Sequence, residues 1–223
     1  MARFVATCAV MLPIAAGLGQ PVARAQTALN DHAYPMRFAT RSGLEAKSPH
    51  CVGCTVVVGQ GVITSGTDAQ LRAFVKRWGG DPAKAVLRLH SPGGDLIAAL
   101  HLGKAIRRAG FQTEALSSRP CQSACTLAFA GGVARAAQRN GLAVHDMSVG
   151  SIQGTNTRHR QREIAQGSPL RQILLAAVRD HLDLMGMSQR LVDQAAATPS
   201  HRMDNLNADD LAALNITHIP HRR

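Results

Sequence analysis

Between Val56 and Met185 the chain alternates short β-branched runs with apolar stripes at helical spacing, and few architectures satisfy that pattern. Val56 to Val58 and then Val62-Ile63 predict two short strands, or one bulged strand broken at Gly59 and Gly61. Thr67 with Gln70 reads as a capping box opening a helix that carries Leu71, Phe74 and Val75. Ala85 to Leu89 predict a buried strand, followed by a turn at Ser91-Pro92-Gly93-Gly94-Asp95 and a helix with Leu96, Leu100, Gly103 and Ile106 on one stripe, closed by Gly110. Further strands are expected at Gln112–Leu116 and Gly141–His145, a buried helix at Ser123–Ala130, and a long helix bearing Leu170, Ile173, Leu174, Ala177, Val178, Leu182 and Met185. Strand–helix alternation of this kind implies an α/β domain with a mainly parallel sheet.

The first residues imply export. Arg3 gives a positive start, Phe4 to Gly19 are largely apolar, and Ala23-Arg24-Ala25 places small residues where a signal peptidase reads. The expectation is a cleaved signal over 1–25, a polar, aperiodic linker over 26–50, a domain over 51–223, and no membrane span after cleavage. The apolar stretch is short for a bilayer. Cleavage removes Arg3 and Arg24 and no acid, lowering the formal charge from +11 to +9. The basic residues are scattered, and aromatic residues are only 3 %, which counts against a base-stacking nucleic-acid surface. A periplasmic or secreted location follows from the signal. Cys51, Cys54, Cys121 and Cys125 remain after cleavage, and an even count in an oxidising compartment favours disulfides. Local bridges and bridges between the two pairs are both open, because a four-residue spacing inside a regular helix is strained for direct closure. The ten histidines show no metal-ligand spacing, so neither a metal nor a cofactor is expected.

Two segments can carry chemistry. Pro92-Gly93-Gly94-Asp95 runs from a strand into a helix, where glycines leave backbone N–H groups open to an anionic ligand. It lacks the lysine of a phosphate-binding loop and the third glycine of a dinucleotide fingerprint. Cys121-Gln122-Ser123-Ala124-Cys125 places a serine at a helix start, where the ordinary role is an N-cap. Val144-His145-Asp146 then places a histidine at a strand end, which is as often a core residue. His90 beside the glycine turn reads as structural or substrate-lining. Lys104, deep in its helix, is poorly placed to pair with a serine.

Glycine turn, serine and histidine follow one another in an order and spacing that resemble the proteolytic subunit of the Clp protease, in the Clp/crotonase superfamily. The chain is more closely similar to an exported, cysteine-bearing branch of Clp-like periplasmic proteins. The resemblance runs from about Cys54 to Ile219. It implies repeated strand-strand-helix units with a mainly parallel sheet and C-terminal helices. It also implies Ser123 as nucleophile, His145 as general base, and the N–H groups of Gly94 and Ala124 as oxyanion hole. Gly150 to Thr155 with the following helix resembles the family's handle, which packs against a neighbouring subunit, so a homo-oligomer is expected. Asn207 to Leu211 resembles the closing helix. One position departs: the third triad residue falls on Met203, and Asp204 supplies a carboxylate only if the loop shifts by one residue. Asp146 is adjacent to His145, and neighbouring side chains on a strand point to opposite faces.

Two function classes remain open. One is an exported serine peptidase acting on peptides or unfolded polypeptides without an ATPase partner. The other is a catalytically weak or inactive relative serving as a binding or assembly protein. Thioester chemistry of the crotonase type is disfavoured, since no acid–base glutamate accompanies the turn.

Overall fold

The computed structural model describes residues 34–147 and 164–217. The signal-like start, the first part of the handle-like segment at Gly150 to Thr155, and the basic tail at His218 and His221 lie outside the described residues. The remainder is an α/β fold with two mixed sheets. The larger has five strands: β1 (Arg37–Thr40), β2 (Thr55–Gln60), β3 (Ala85–His90), β4 (Gln112–Ala115) and β6 (Arg135–Ala137), in the order β1-β2-β3-β4-β6. Strands β2 to β6 within it are parallel, and β1 joins the edge antiparallel. The smaller sheet has β5 (Cys121–Gln122) parallel to β7 (Leu142–Val144), with β8 (Asp204–Asn205) antiparallel to β7. A bridge between Ser91 and Cys121 carries the end of β3 onto the start of β5, so the two sheets meet at the glycine turn.

Strand β3 is covered on both faces, as its near-continuous apolar run requires. Its one charged residue, Arg88, is 7 % exposed. Its Nε donates to Glu114 on β4 at 2.6 Å, and its two Nη atoms donate to the carbonyls of Glu45 and Lys47. Ser48 Oγ donates to the other Glu114 oxygen at 2.8 Å. The stretch expected to be a linker is thus partly built into the fold: it supplies β1 and closes the coordination of a buried charge. An isolated Arg88 or Glu114 would be costly to bury, so this pairing ties 45–48 to the sheet.

Helix α1 (Thr67–Trp78) starts differently from its expected capping box. Gly66 occupies the N-cap in the left-handed region, and Thr67 Oγ1 exchanges hydrogen bonds with Thr64 instead. The helix stacks Phe74 and Trp78 between Phe38 of β1 and Phe111 before β4, with centroids 5.9 to 6.4 Å apart. Most of the few aromatic rings are therefore core material. Helix α2 (Leu96–Ala109) is capped by Asp95, whose carboxylate accepts from Ala98 N at 2.7 Å, and ends at left-handed Gly110 as the sequence predicts. Helix α3 (Cys125–Phe129) is wholly buried. It is shorter than expected because Ser123 takes a left-handed turn and the helix begins only at Cys125. Helix α4 (Pro169–Leu184) opens on a Ser168 cap, followed by α5 (Arg190–Ala197) and α6 (Ala208–Ala213), the last with an Asn207–Asp210 capping box.

Arg135, on the three-residue strand β6 that sequence patterning misses, fastens the C-terminal part. Its guanidinium donates to the carbonyls of Met185, Gly186, Asn215 and Ile216. Burial, with the nearby Arg107 charge, pushes its pKa down to about 10, so it stays protonated at neutral pH.

Candidate active site

The C-terminal ends of β3, β5 and β7 converge, and loops at strand ends of this kind are where open α/β sheets hold ligands. The glycine turn after β3 is fixed by two close approaches. Gly94 has φ +140°, and a Cβ there would lie 2.0 Å from the Ile63 carbonyl oxygen. Gly93 has φ +104°, and a Cβ there would lie 2.8 Å from Ser123 Cβ and 3.1 Å from Ala124 N. Only glycines let this turn lie directly on the serine loop. Among the described residues, neither Gly94 N nor Ala124 N donates a hydrogen bond, although their neighbours do: Asp95 N to Ile63 O, Ser123 N to Ala143 O, and Thr126 N to Ser123 O.

Ser123 itself has φ +54°. Among the described residues the other two non-glycine residues with positive φ are asparagines, which tolerate that region; for serine it costs about 1–3 kcal/mol. The N-cap role expected of an ordinary helix-start serine is not the one observed. Helix α3 begins after Ala124 with no side-chain cap, and among the described residues Ser123 Oγ makes no hydrogen bond. Its side chain lines a cavity of about 140 Å³ together with Gly94, Ala124 and His145.

The Cys121–Cys125 disulfide spans this turn, and Cys51–Cys54 forms the other bridge, so both are local. The strain expected of a bridge across one helical turn does not arise, because Cys121 lies on β5 and only Cys125 lies on α3. The left-handed turn at Ser123 brings the two Cα atoms to 5.3 Å. Both cysteines are fully buried.

His145 follows β7 directly. In the parallel register Cys121 pairs with Leu142 and Gln122 with Ala143, which brings Ser123 beside Val144, one residue before the histidine. Ser123 and His145 line the same cavity without a hydrogen bond between them, a separation common in unliganded catalytic pairs. His145 Nδ1 lies 2.5 Å from the Asp146 carbonyl oxygen, and Nε2 has no partner among the described residues.

The structure does not bring Asp204 to His145. Asp204 is opposite Val144 in the β7–β8 ladder, so its side chain shares Val144's face and not that of the next residue. Its carboxylate accepts from Gln194 Nε2 at 2.8 Å. Continuing the ladder sets Met203 opposite His145, and Met203 is 40 % exposed. The Asp146 carboxylate points away as well and binds Arg171 Nη2 at 2.6 Å. His90 and Lys104 lie outside the lining of the cavity.

Sequence reasoning missed Arg171 and the Asp146 carbonyl. A backbone oxygen leaves no mark on residue type. Arg171 had a signal: a cation in the first turn of a helix opposes the helix dipole, and at i, i+7 and i+11 it shares the buried face with Val178 and Leu182. Most of the remaining lining is apolar, including Leu127, Val144, Ile164, Leu174, Val178 and Val192, with Asp95 and Thr126 beside them. Among the described residues no group of three His, Cys, Asp or Glu side chains could hold a metal ion, and no helix is long and apolar enough to cross a membrane.

The described geometry defines an α/β protein with a serine turn, a histidine and a glycine turn around one apolar cavity. No protein-family model and no curated protein matches the chain. Among solved structures it is similar to a serine-to-alanine mutant of a membrane-bound stomatin-specific protease, at 14 % identity and a TM-score of 0.48 over 73 % of this chain and 75 % of that one.

Proposed function

We propose that the protein is an exported, Clp-like serine peptidase that cleaves short or unfolded polypeptides. The observation that carries this reading is Ser123, held at φ +54° with its hydroxyl uncommitted, beside two N–H groups that make no hydrogen bond in the described structure. A helix cap needs neither feature.

In the proposed reaction Ser123 Oγ attacks the scissile carbonyl carbon while its proton passes to His145 Nε2. The developing oxyanion accepts from Gly94 N and Ala124 N. Collapse returns the proton from Nε2 to the leaving amine and leaves an acyl ester on Ser123. A water then gives its proton to Nε2 and its oxygen to the acyl carbon, and the proton returns to Oγ. The apolar walls favour a substrate side chain that is itself apolar. Without an ATP-driven unfoldase only extended chains can enter.

Two disulfides fit an oxidising compartment such as the periplasm or the extracellular space. Self-association is part of the same proposal: Ile173 and Leu184 on α4 are 65 % and 68 % exposed, which leaves apolar side chains for a second copy to cover.

A second reading, a binding or assembly protein with little activity, is favoured by Met203 standing where a carboxylate would orient His145. The two separate on unstructured peptides carrying one apolar residue. The peptidase reading expects cleavage by the wild type, none by Ser123→Ala, and resistance of folded proteins. Tight binding without cleavage by both forms would support the second.

A further inference from the structure

The place of an orienting carboxylate at His145 is taken by backbone. A carbonyl oxygen only accepts, so the contact between His145 Nδ1 and the Asp146 oxygen requires Nδ1 to carry the proton. Nε2 is then left with its lone pair, the state a general base must have. A carboxylate achieves the same in a Ser-His-Asp site.

A backbone carbonyl can do this only if its peptide plane is held. The plane between Asp146 and Met147 is held at both ends. Its C=O meets the His145 ring, and its N–H, from Met147, donates to the Asp146 carboxylate at 2.8 Å. The same carboxylate oxygen accepts from Arg171 Nη2 at 2.6 Å. The Arg171 side chain is only 7 % exposed, and its Nη1 donates to the Ile164 carbonyl at 3.4 Å. Asp146 N in turn donates to Thr198 O at 2.8 Å. Arg171, acting through the Asp146 carboxylate, and Thr198, on the amide just before, therefore bracket the peptide unit whose carbonyl rests on the histidine.

We propose that Arg171 and Asp146 are positioning residues that lock the Asp146 carbonyl onto His145 Nδ1 and so fix the neutral imidazole with its proton on Nδ1 and its lone pair on Nε2. The catalytic consequence rests on the peptidase reading; the tautomer does not. A buried ion pair serving stability alone would leave the imidazole free to place its proton on either nitrogen.

The test is nitrogen NMR of histidine-labelled protein at a pH where the imidazole is neutral, with the His145 signals assigned by their loss in His145→Gln. The wild type should show His145 protonated on Nδ1. Arg171→Ala, and separately Asp146→Ala, which keeps the carbonyl but frees its peptide plane, should show a mixture of both tautomers. Arg171→Lys should keep most of the wild-type pattern. If the enzyme labels with a fluorophosphonate, Arg171→Ala should slow labelling roughly tenfold, the scale of one lost hydrogen bond, and Arg171→Lys less. A wild-type His145 protonated on Nε2 would overturn the proposal without any variant needing to fold. So would an unchanged Nδ1-protonated state in folded Arg171→Ala. A protein with the expected tautomers but no labelling would retire the peptidase reading and leave the positioning pair standing.

Discussion

His145 and His181 each rest one ring nitrogen on a backbone carbonyl, of Asp146 and of Leu127 respectively, yet they stand in different surroundings. His181 uses Nε2, 2.8 Å from the Leu127 oxygen, and its Nδ1 is sealed in the core with no hydrogen-bond partner among the described residues. Its ring is 2 % exposed and lies so close to α2 that a Cβ on Gly103 would sit 2.8 Å from Cε1. Burial lowers its pKa; the Leu127 hydrogen bond opposes that, and the charges of Lys104 and Arg107 add to it. It is a neutral packing residue. His145 uses the other nitrogen, keeps Nε2 without a partner among the described residues, and lines a cavity together with Ser123. The hydrogen bond alone does not separate a packing histidine from a functional one. Which nitrogen remains, and what it faces, does.

The largest effect should come from exchanging the two positions experimentally. His145→Ala should lower peptide cleavage about a thousandfold, in the range lost with a general base, whereas His181→Gln should leave the rate per folded molecule unchanged. Equal losses would break the distinction. Removing the Cys121–Cys125 bridge by a double Cys→Ala change touches both sites through α3, which carries the Leu127 carbonyl at one place and begins just beyond Ser123. Denaturant titration should show a loss of about 2 kcal/mol, as expected for closing so short a loop. Labelling of Ser123 should slow as well, because the bridge holds the left-handed turn. A smaller effect sharpens the comparison from the side of His181. Its folded pKa lies below its ordinary value of 6.5, so the unfolded chain takes up the proton first as pH falls. The stability contributed by the neutral ring is complete above about pH 6.5 and declines below it. Thermal denaturation of His181→Gln should fall less steeply with acid over that range than the wild type.

What the sequence made legible follows from which interactions residue type can encode. Gly93 and Gly94 were readable because their close approaches and φ values admit no other residue. The helix stop at Gly110 was readable for the same local reason. Strand β1 was not: its four residues lie at a largely exposed edge, without the alternation that a buried face imposes. Strand β6 is three residues long and begins with an arginine whose partners are backbone oxygens far along the chain. At the site, Ser123 and His145 were legible as types in an order. The displacement of Asp204 was half legible, since counting placed Met203 at the triad position and the β7–β8 register sets it opposite His145. The Asp146 carbonyl and its Arg171 anchor were not, because they are defined by the path of the backbone and by a contact 25 residues apart.

The central claim is that Ser123 is a nucleophile rather than a turn residue. Intact mass after exposure of the purified protein to a fluorophosphonate tests it most directly. One adduct per chain is expected, mapped to the peptide containing Ser123, absent in Ser123→Ala and strongly reduced in His145→Ala. A folded wild-type protein that gains no mass, or an adduct that persists in Ser123→Ala, would contradict it.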